Sequence, residues 1–269
     1  IYTSGTTGPP KGCVISHGNY RSMVTMALTE SVLEKESTSY LFLPLAHSFA
    51  LLIQFLSFDL GGNIAYWQRD PLKIIPDLSE VRPEYFPSVP RIFEKIYTAA
   101  TSDVEKAGGM KKIVFNWAVR VGTKVRERER SGKRVGWLLR KQYEIADRQV
   151  LSKIQALFGG RIKNCVTGAA PINPDILRFF DAAGVLVLEG WGMTETSTAA
   201  TVARPDAFKC DKVGRAFEGC EIRIADDGEI LIRGPLVCMG YLRADGGIER
   251  ITDDEGWLAT GDVGTLDKD

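Results

Sequence analysis

The sequence predicts an α/β fold, a largely parallel sheet layered with helices, followed by a small β-rich subdomain. Three patterns carry the expectation. Short apolar, β-like runs alternate with helix-length amphipathic stretches up to about Arg204, as strand–helix–strand units of a parallel sheet require. Helical periodicity then dominates Arg91 to Leu157, with charged residues spaced onto what should be solvent faces. Beyond Arg204 the pattern changes to short period-two strands separated by turns. These patterns divide the chain into an α/β part at 1–204 and a β-rich part at 205–269.

Element by element, Ile1 and Tyr2 read as the end of a strand, and a Gly/Thr/Pro-rich loop from Thr3 to Gly12 leads to a short β run at Cys13 to Ile15. An amphipathic helix is expected from Gly18 to about Leu33, then a strand at Tyr40 to Leu43 and an apolar helix after Pro44. Asn63 to Trp67 reads as another buried strand, and Pro71 to Val81 as a helix. Within the helical stretch, Gly108-Gly109 and Ser131-Gly132 are the expected breaks. Strands return at Arg161 to Val166 and Val185 to Leu188, with a helix from Pro174 to Ala183 between them. Glu221 to Ala225 and Glu229 to Arg233 alternate about Asp226-Asp227-Gly228, which signals a hairpin.

Composition narrows the function. Lys plus Arg and Asp plus Glu each number 34, so the chain lacks the positive excess with which proteins meet nucleic-acid phosphates, and a nucleic-acid partner is not expected. Locally the balance fails: Lys111 to Lys153 holds 13 basic residues against 4 acidic ones. A solvated helical face is the plain reading of that stretch; a surface for anionic lipid headgroups is the sharper one. The five cysteines are odd in number and form no Cys-x-x-Cys pair, which fits a reducing cytoplasm better than a disulfide framework or a thiolate zinc site. The most apolar run, Ser48 to Leu60, is interrupted by Gln54 and Asp59 and is too short to span a bilayer, so membrane contact is expected to be peripheral. Both ends stop abruptly, and the chain reads as an internal fragment.

The loop Tyr2-Thr-Ser-Gly-Thr-Thr-Gly-Pro-Pro-Lys-Gly12 holds the strongest chemical signal. Its small residues let backbone N–H groups approach an anion, and its hydroxyls add donors, so it suits a polyphosphate. It is not a Walker A loop, because Lys11 follows two prolines, precedes Gly12 and opens a strand. The second signal, Glu189-Gly-Trp-Gly-Met-Thr-Glu-Thr196, follows the buried run Val185 to Leu188, at the strand edge where parallel sheets bind ligands. Taken alone, Thr194 or Thr196 could simply cap a helix with Glu195 in its first turn. Val166-Thr-Gly-Ala-Ala-Pro-Ile-Asn-Pro174 and Thr260-Gly-Asp262 would each pass for an ordinary turn. His47, in Leu43-Pro-Leu-Ala-His-Ser-Phe49, is one of only two histidines, which makes a histidine-built zinc site improbable.

Together these segments resemble the adenylate-forming superfamily of acyl-CoA synthetases, luciferases and peptide-synthetase adenylation domains. The family's T-S-G-T-T-G-x-P-K-G loop is matched throughout, and its Y-G-x-T-E segment with Trp191 in place of the usual Tyr. The resemblance implies that Thr3, Ser4, Gly5, Thr6, Thr7, Gly8 and Lys11 grip the phosphates of ATP, and that Thr3 and Glu195 hold Mg²⁺. It implies that Gly168, Ala169, Ala170 and Pro171 line the adenine and the acyl carboxylate. Glu189, Gly190, Trp191, Gly192 and Met193 would form the adenine pocket, Thr194 would contact phosphate, and Asp262 would take both ribose hydroxyls. Lys11, Thr7, Thr194, Glu195 and His47 are the catalytic candidates, His47 standing beside the acyl carboxylate. The segment Gly228 to Tyr241 matches a family pattern assigned to framework. The β-rich part would be a distorted barrel ending before the hinge and C-terminal lid.

Pro87-Ser-Val-Pro-Arg-Ile-Phe-Glu-Lys-Ile-Tyr97 and the basic helical stretch after it resemble long-chain fatty acyl-CoA synthetases most. The implied reaction joins a fatty acid to ATP as acyl-AMP, then transfers the acyl group to coenzyme A. The alternatives are a domain that passes the acyl group to a carrier protein or reductase, and a non-catalytic nucleotide-binding paralogue. Without the lid, the fragment should hold nucleotide but turn over poorly.

Overall fold

The computed structural model describes residues 1–3, 9–30 and 32–268. Strands β1 (Tyr2–Thr3) and β2 (Lys11–Val14) pair antiparallel, with Tyr2 opposite Gly12 and Thr3 opposite Lys11. In helix α1 (His17–Thr29), Ser16 and Asn19 cap each other's backbone N–H groups, and the Asn19 amide also donates to the carbonyls of Pro235 and Val237. The helix closes at Glu30, short of the expected Leu33. There follow β3 (Thr38–Leu41), α2 (Ser48–Asp59), β4 (Asn63–Tyr66), α3 (Ile74–Val81) and β5 (Tyr85–Ser88). Helices α4 (Pro90–Ala107) and α5 (Gly109–Arg130) part at Gly108, one of the two expected breaks. Helix α6 (Trp137–Ala146) runs through a π-helical turn at Asp147–Leu151 into α7 (Ser152–Ala156). The central part ends with β6 (Asn164–Thr167), α8 (Pro174–Ala182), β7 (Leu186–Trp191), β8 (Thr201–Val202) and β9 (Arg215–Ala216). Last come β10 (Glu221–Ile224), β11 (Glu229–Arg233), β12 (Gly240–Leu242), β13 (Ile248–Glu249) and β14 (Leu258–Val263).

Seven strands form one sheet in the order β4-β3-β5-β6-β7-β8-β9. The first five are parallel, and β8 and β9 attach antiparallel at one edge. The α/β character expected from the alternating pattern is therefore present, and the sheet continues past Arg204 to Ala216. A buried strand was expected over Asn63 to Trp67; β4 (Asn63–Tyr66) is instead the sheet's outer strand, paired with β3 alone, and is half exposed. The hairpin about Asp226-Asp227-Gly228 forms as expected, with Glu221 opposite Arg233, and β14 extends it to three strands. A third sheet, β1-β2-β12-β13, joins the two ends of the chain, with Gly240 opposite Val14 and Tyr241 opposite Cys13.

Phe86 of β5 sits in the core and meets Phe93 and Phe158 edge-on; those two stack on each other, and Phe180 packs edge-on against both. Sequence periodicity gives no sign of β5, since Pro83, Pro87 and Pro90 crowd it. Pro87 lacks the N–H that a central strand needs on both sides. The structure accommodates it by pairing β5 with β3 at a single position, Ser39 with Tyr85, while all four β5 residues align with β6. Nearby, buried Asp77 accepts from the Tyr40 hydroxyl and the Gln68 amide, each at 2.7 Å. Helix α5 crosses α8 so closely that a Cβ on Gly122 would lie 2.2 Å from the Ala182 carbonyl oxygen.

Candidate active site

The carboxyl ends of β6 and β7 lie side by side, with Thr167 in register with Glu189. Gly168 to Pro171 leave the end of β6, and Ala169 takes a left-handed φ of 68°, a strain that persists where surrounding structure fixes a loop. Buried Glu189 ties this loop to the sheet by accepting from the Ile172 N–H, and burial raises its pKa against that hydrogen bond. Glu189, Gly190 and Trp191 belong to β7 itself. Gly192 then meets the 198–199 backbone so closely that a Cβ would stand 2.5 Å from Ala199 Cα. Thr194 to Thr196 form a single 3-10 turn rather than the first turn of an α-helix. Ser197 and Thr198 follow with φ of 54° and 136°, so three of the six non-glycine positive-φ residues among the described residues cluster here.

Glu195 is only 5% exposed, and its carboxylate accepts from the Tyr241 hydroxyl at 2.7 Å. Burial and the neighbouring carboxylate push the Tyr241 phenol above its ordinary pKa, so it stays protonated as donor. The Lys11 ammonium, exposed at the start of β2, stands 4.7 Å from the centre of the same ring, a cation–π contact. The backbone supports the cluster, because β2 pairs with β12 and the Cys238 N–H donates to the Glu195 carbonyl at 2.8 Å. Thr3, half-buried, lies opposite Lys11 on β1. Ser4, Gly5, Thr6, Thr7 and Gly8 lie outside the described residues. Tyr241 was missed by sequence reasoning, which assigned its segment to framework; only the strand pairing reveals its place between Lys11 and Glu195.

On the other flank, the Trp191 indole N–H donates to Asp262 Oδ2 at 2.9 Å. That contact joins the end of β7 to β14 and uses a donor that the usual tyrosine would supply differently. Below these groups opens an apolar cavity of about 430 Å³. Gly168, Ala169, Gly190, Trp191, Gly192, Met193 and Thr194 line it on the strand-end side, whereas Ala170 and Pro171 are exposed. His47, at the start of α2, lines the same cavity and is itself exposed. The far side is formed by α1 and α2, through residues such as Leu28, Leu52 and Leu56, with Leu33 from the segment after α1. The hydroxyls of Thr167 and Thr198, both lining residues, are buried without a hydrogen-bond partner among the described residues. Polar groups thus collect at one end of a hydrophobic hole, an arrangement that suits an amphiphile whose head undergoes chemistry.

A family model described as AMP-binding enzyme matches residues 1–242. A long-chain-fatty-acid–CoA ligase, FadD15 of Mycobacterium bovis, is 36% identical over 273 residues, covering 100% of this chain and 44% of the relative. The long-chain-fatty-acid–CoA ligase ACSBG2 of Xenopus laevis is 36% identical, covering 100% of this chain and 38% of its own length. The peroxisomal long chain acyl-CoA synthetase 6 of Arabidopsis thaliana is 33% identical, covering 98% and 38%. The chain thus spans less than half the length of these curated relatives. Among solved structures, the N-terminal domain of FACL13 from Mycobacterium tuberculosis superposes with a TM-score of 0.68 at 22% identity, covering 100% of this chain and 57% of that one. The o-succinylbenzoate CoA synthetase of Bacillus subtilis, solved with the acyl-adenylate OSB-AMP, gives 0.70 at 21%, covering 100% and 46%. At these identities the two structures speak for the fold alone.

Proposed function

The chain belongs to the AMP-binding enzyme family, and from that premise we propose that it activates a long-chain fatty acid with ATP as acyl-AMP and hands the acyl group to coenzyme A. The observation that carries this reading is the largely apolar cavity opening directly beneath Trp191, Thr194 and Gly168, with the Thr167 and Thr198 hydroxyls at that end and mostly aliphatic side chains along the rest. Burying a chain of methylenes there is favourable by about 0.8 kcal/mol for each.

In the proposed first step the acid's own carboxylate oxygen attacks the α-phosphorus, a new P–O bond forms, and the bond to pyrophosphate breaks with the electron pair leaving on pyrophosphate. No enzyme nucleophile is required, so the residues have only to align and neutralise. Lys11 supplies positive charge toward the leaving phosphates together with the loop of Ser4 to Gly8, and Thr194 donates to phosphate. Trp191 offers adenine a flat face while its N–H holds Asp262 for the ribose. Thr167 and Thr198 offer donors to the carboxyl end of the acid, with His47 at the cavity wall. A buried carboxylate such as Glu195, with Thr3, suits Mg²⁺, which binds through few protein oxygens plus substrate phosphates and would offset charge on them. In the second step the thiol of coenzyme A attacks the acyl carbonyl and AMP departs.

Among the described residues no helix is long and apolar enough to cross a membrane. For an insoluble acid we assign delivery to a peripheral lipid contact through the basic 111–153 stretch, where Trp137, Leu138 and Ile113 are exposed among the lysines and arginines. The five cysteines are free, which fits the reducing cytoplasm.

Pyrophosphate release by the full-length enzyme, measured across acids of increasing chain length, tests the reading. Release should grow from short to long acids and depend on Mg²⁺. Glu195→Ala should abolish ATP–pyrophosphate exchange while the circular dichroism spectrum is unchanged. Wild-type exchange in that variant would overturn the assignment.

A further inference from the structure

The apolar cavity does not end apolar. Glu30, the residue that closes α1, is 6% exposed and lines it, and it is the one carboxylate among the described lining residues. It stands far from the reacting end. At about 1.5 Å of rise per residue, α1 sets Glu30 roughly 20 Å from its cap Ser16, and Ser16 belongs to the capping box tied to Pro235 and Val237 beside the Glu195 cluster. The sheet agrees: β8 runs antiparallel to β7, and the Ala203 N–H donates to the Glu189 carbonyl at 2.8 Å, so the chain leaves Val202 toward the opposite edge from Thr194. Arg204 follows there and faces Glu30 at 3.6 Å, longer than an ordinary N–H···O hydrogen bond.

A carboxylate can accept about four hydrogen bonds; Arg204 and the Thr29 hydroxyl beside Glu30 use part of that capacity and leave the rest in a residue that lines a hydrophobic hole. An acyl chain reaching that wall with a bare methyl would desolvate Glu30 and return nothing. A chain ending in a hydroxyl would donate to it. Resting on the proposed acid-activating reading, we propose that Glu30 recognises the distal end of the acyl chain and selects an acid bearing an ω-hydroxyl group over its methyl-ended counterpart of the same length.

The test uses the full-length enzyme and pyrophosphate release, with laurate, myristate, palmitate and stearate set against their ω-hydroxy counterparts. At the chain length that spans the cavity, the ω-hydroxy acid should show a kcat/KM about tenfold above the methyl-ended acid, mostly through KM, the size expected of one hydrogen bond to a charged group. Glu30→Leu should remove that ratio while turning over the methyl-ended acid at least as well, which shows that the variant is folded; Glu30→Gln should keep part of it. Turnover of plain fatty acids with no hydroxyl advantage at any length overturns the inference alone, as does an advantage that survives Glu30→Leu. No turnover of either series overturns the acid-activating reading and this inference with it.

Discussion

At the scale of single residues, Tyr241 changes how Glu195 should behave. A buried carboxylate accepting a phenolic hydrogen bond at 2.7 Å is held in one orientation before any substrate arrives. Tyr241→Phe keeps the ring beneath Lys11 and removes only the donor. Adenylation should then slow roughly tenfold, the size of one hydrogen bond to a charged group, with the KM for the acid little changed. Isotope exchange between pyrophosphate and ATP measures this directly. Glu195, Trp191 and Asp262 were singled out through the resemblance of their segments to family motifs, and the structure brings Trp191 and Asp262 within hydrogen-bond distance. Tyr241 was not, since a tyrosine in a framework segment has no local mark, and its role comes from β12 lying against β2.

Elements were legible to the degree that their own residues decide them. Alternating apolar runs gave the α/β class, and the hairpin about Asp226-Asp227-Gly228 was set by its turn. Strand β5 escaped notice because three prolines mark it locally as a breaker, while its neighbours β3 and β6 make it the middle of the sheet. The crossing of α5 over α8 is similarly silent in sequence, since a glycine inside a helix ordinarily costs about 1 kcal/mol relative to alanine. Here its value is the close approach to Ala182. Gly122→Ala should reverse the usual helix preference and destabilise by about 1–3 kcal/mol, as overpacking does. Thermal unfolding monitored by circular dichroism would show a fall in Tm; a rise would mean that the two helices can separate without loss.

For the whole molecule, charge is balanced overall but concentrated in one layer, and the exposed Trp137 and Leu138 lie inside that basic region. Reversing Lys133, Arg134, Arg140 and Lys141 to glutamate should release the full-length protein from vesicles containing phosphatidylserine, and leave pyrophosphate release from a detergent-dispersed acid intact. Co-sedimentation unaffected by the reversal would remove the lipid contact from the account.

The ladder that sets β2 against β12 also dictates when the candidate site can exist. Lys11 emerges before its ring partner Tyr241 and the strand that fixes both, which come some two hundred residues later, and Asp262 later still. Contacts of such long sequence separation form slowly and late. A nascent chain therefore carries Lys11 without its ring partner until almost all of the described sequence has left the ribosome. During that interval the half-made molecule should lack the contact that joins Lys11, Tyr241 and Glu195.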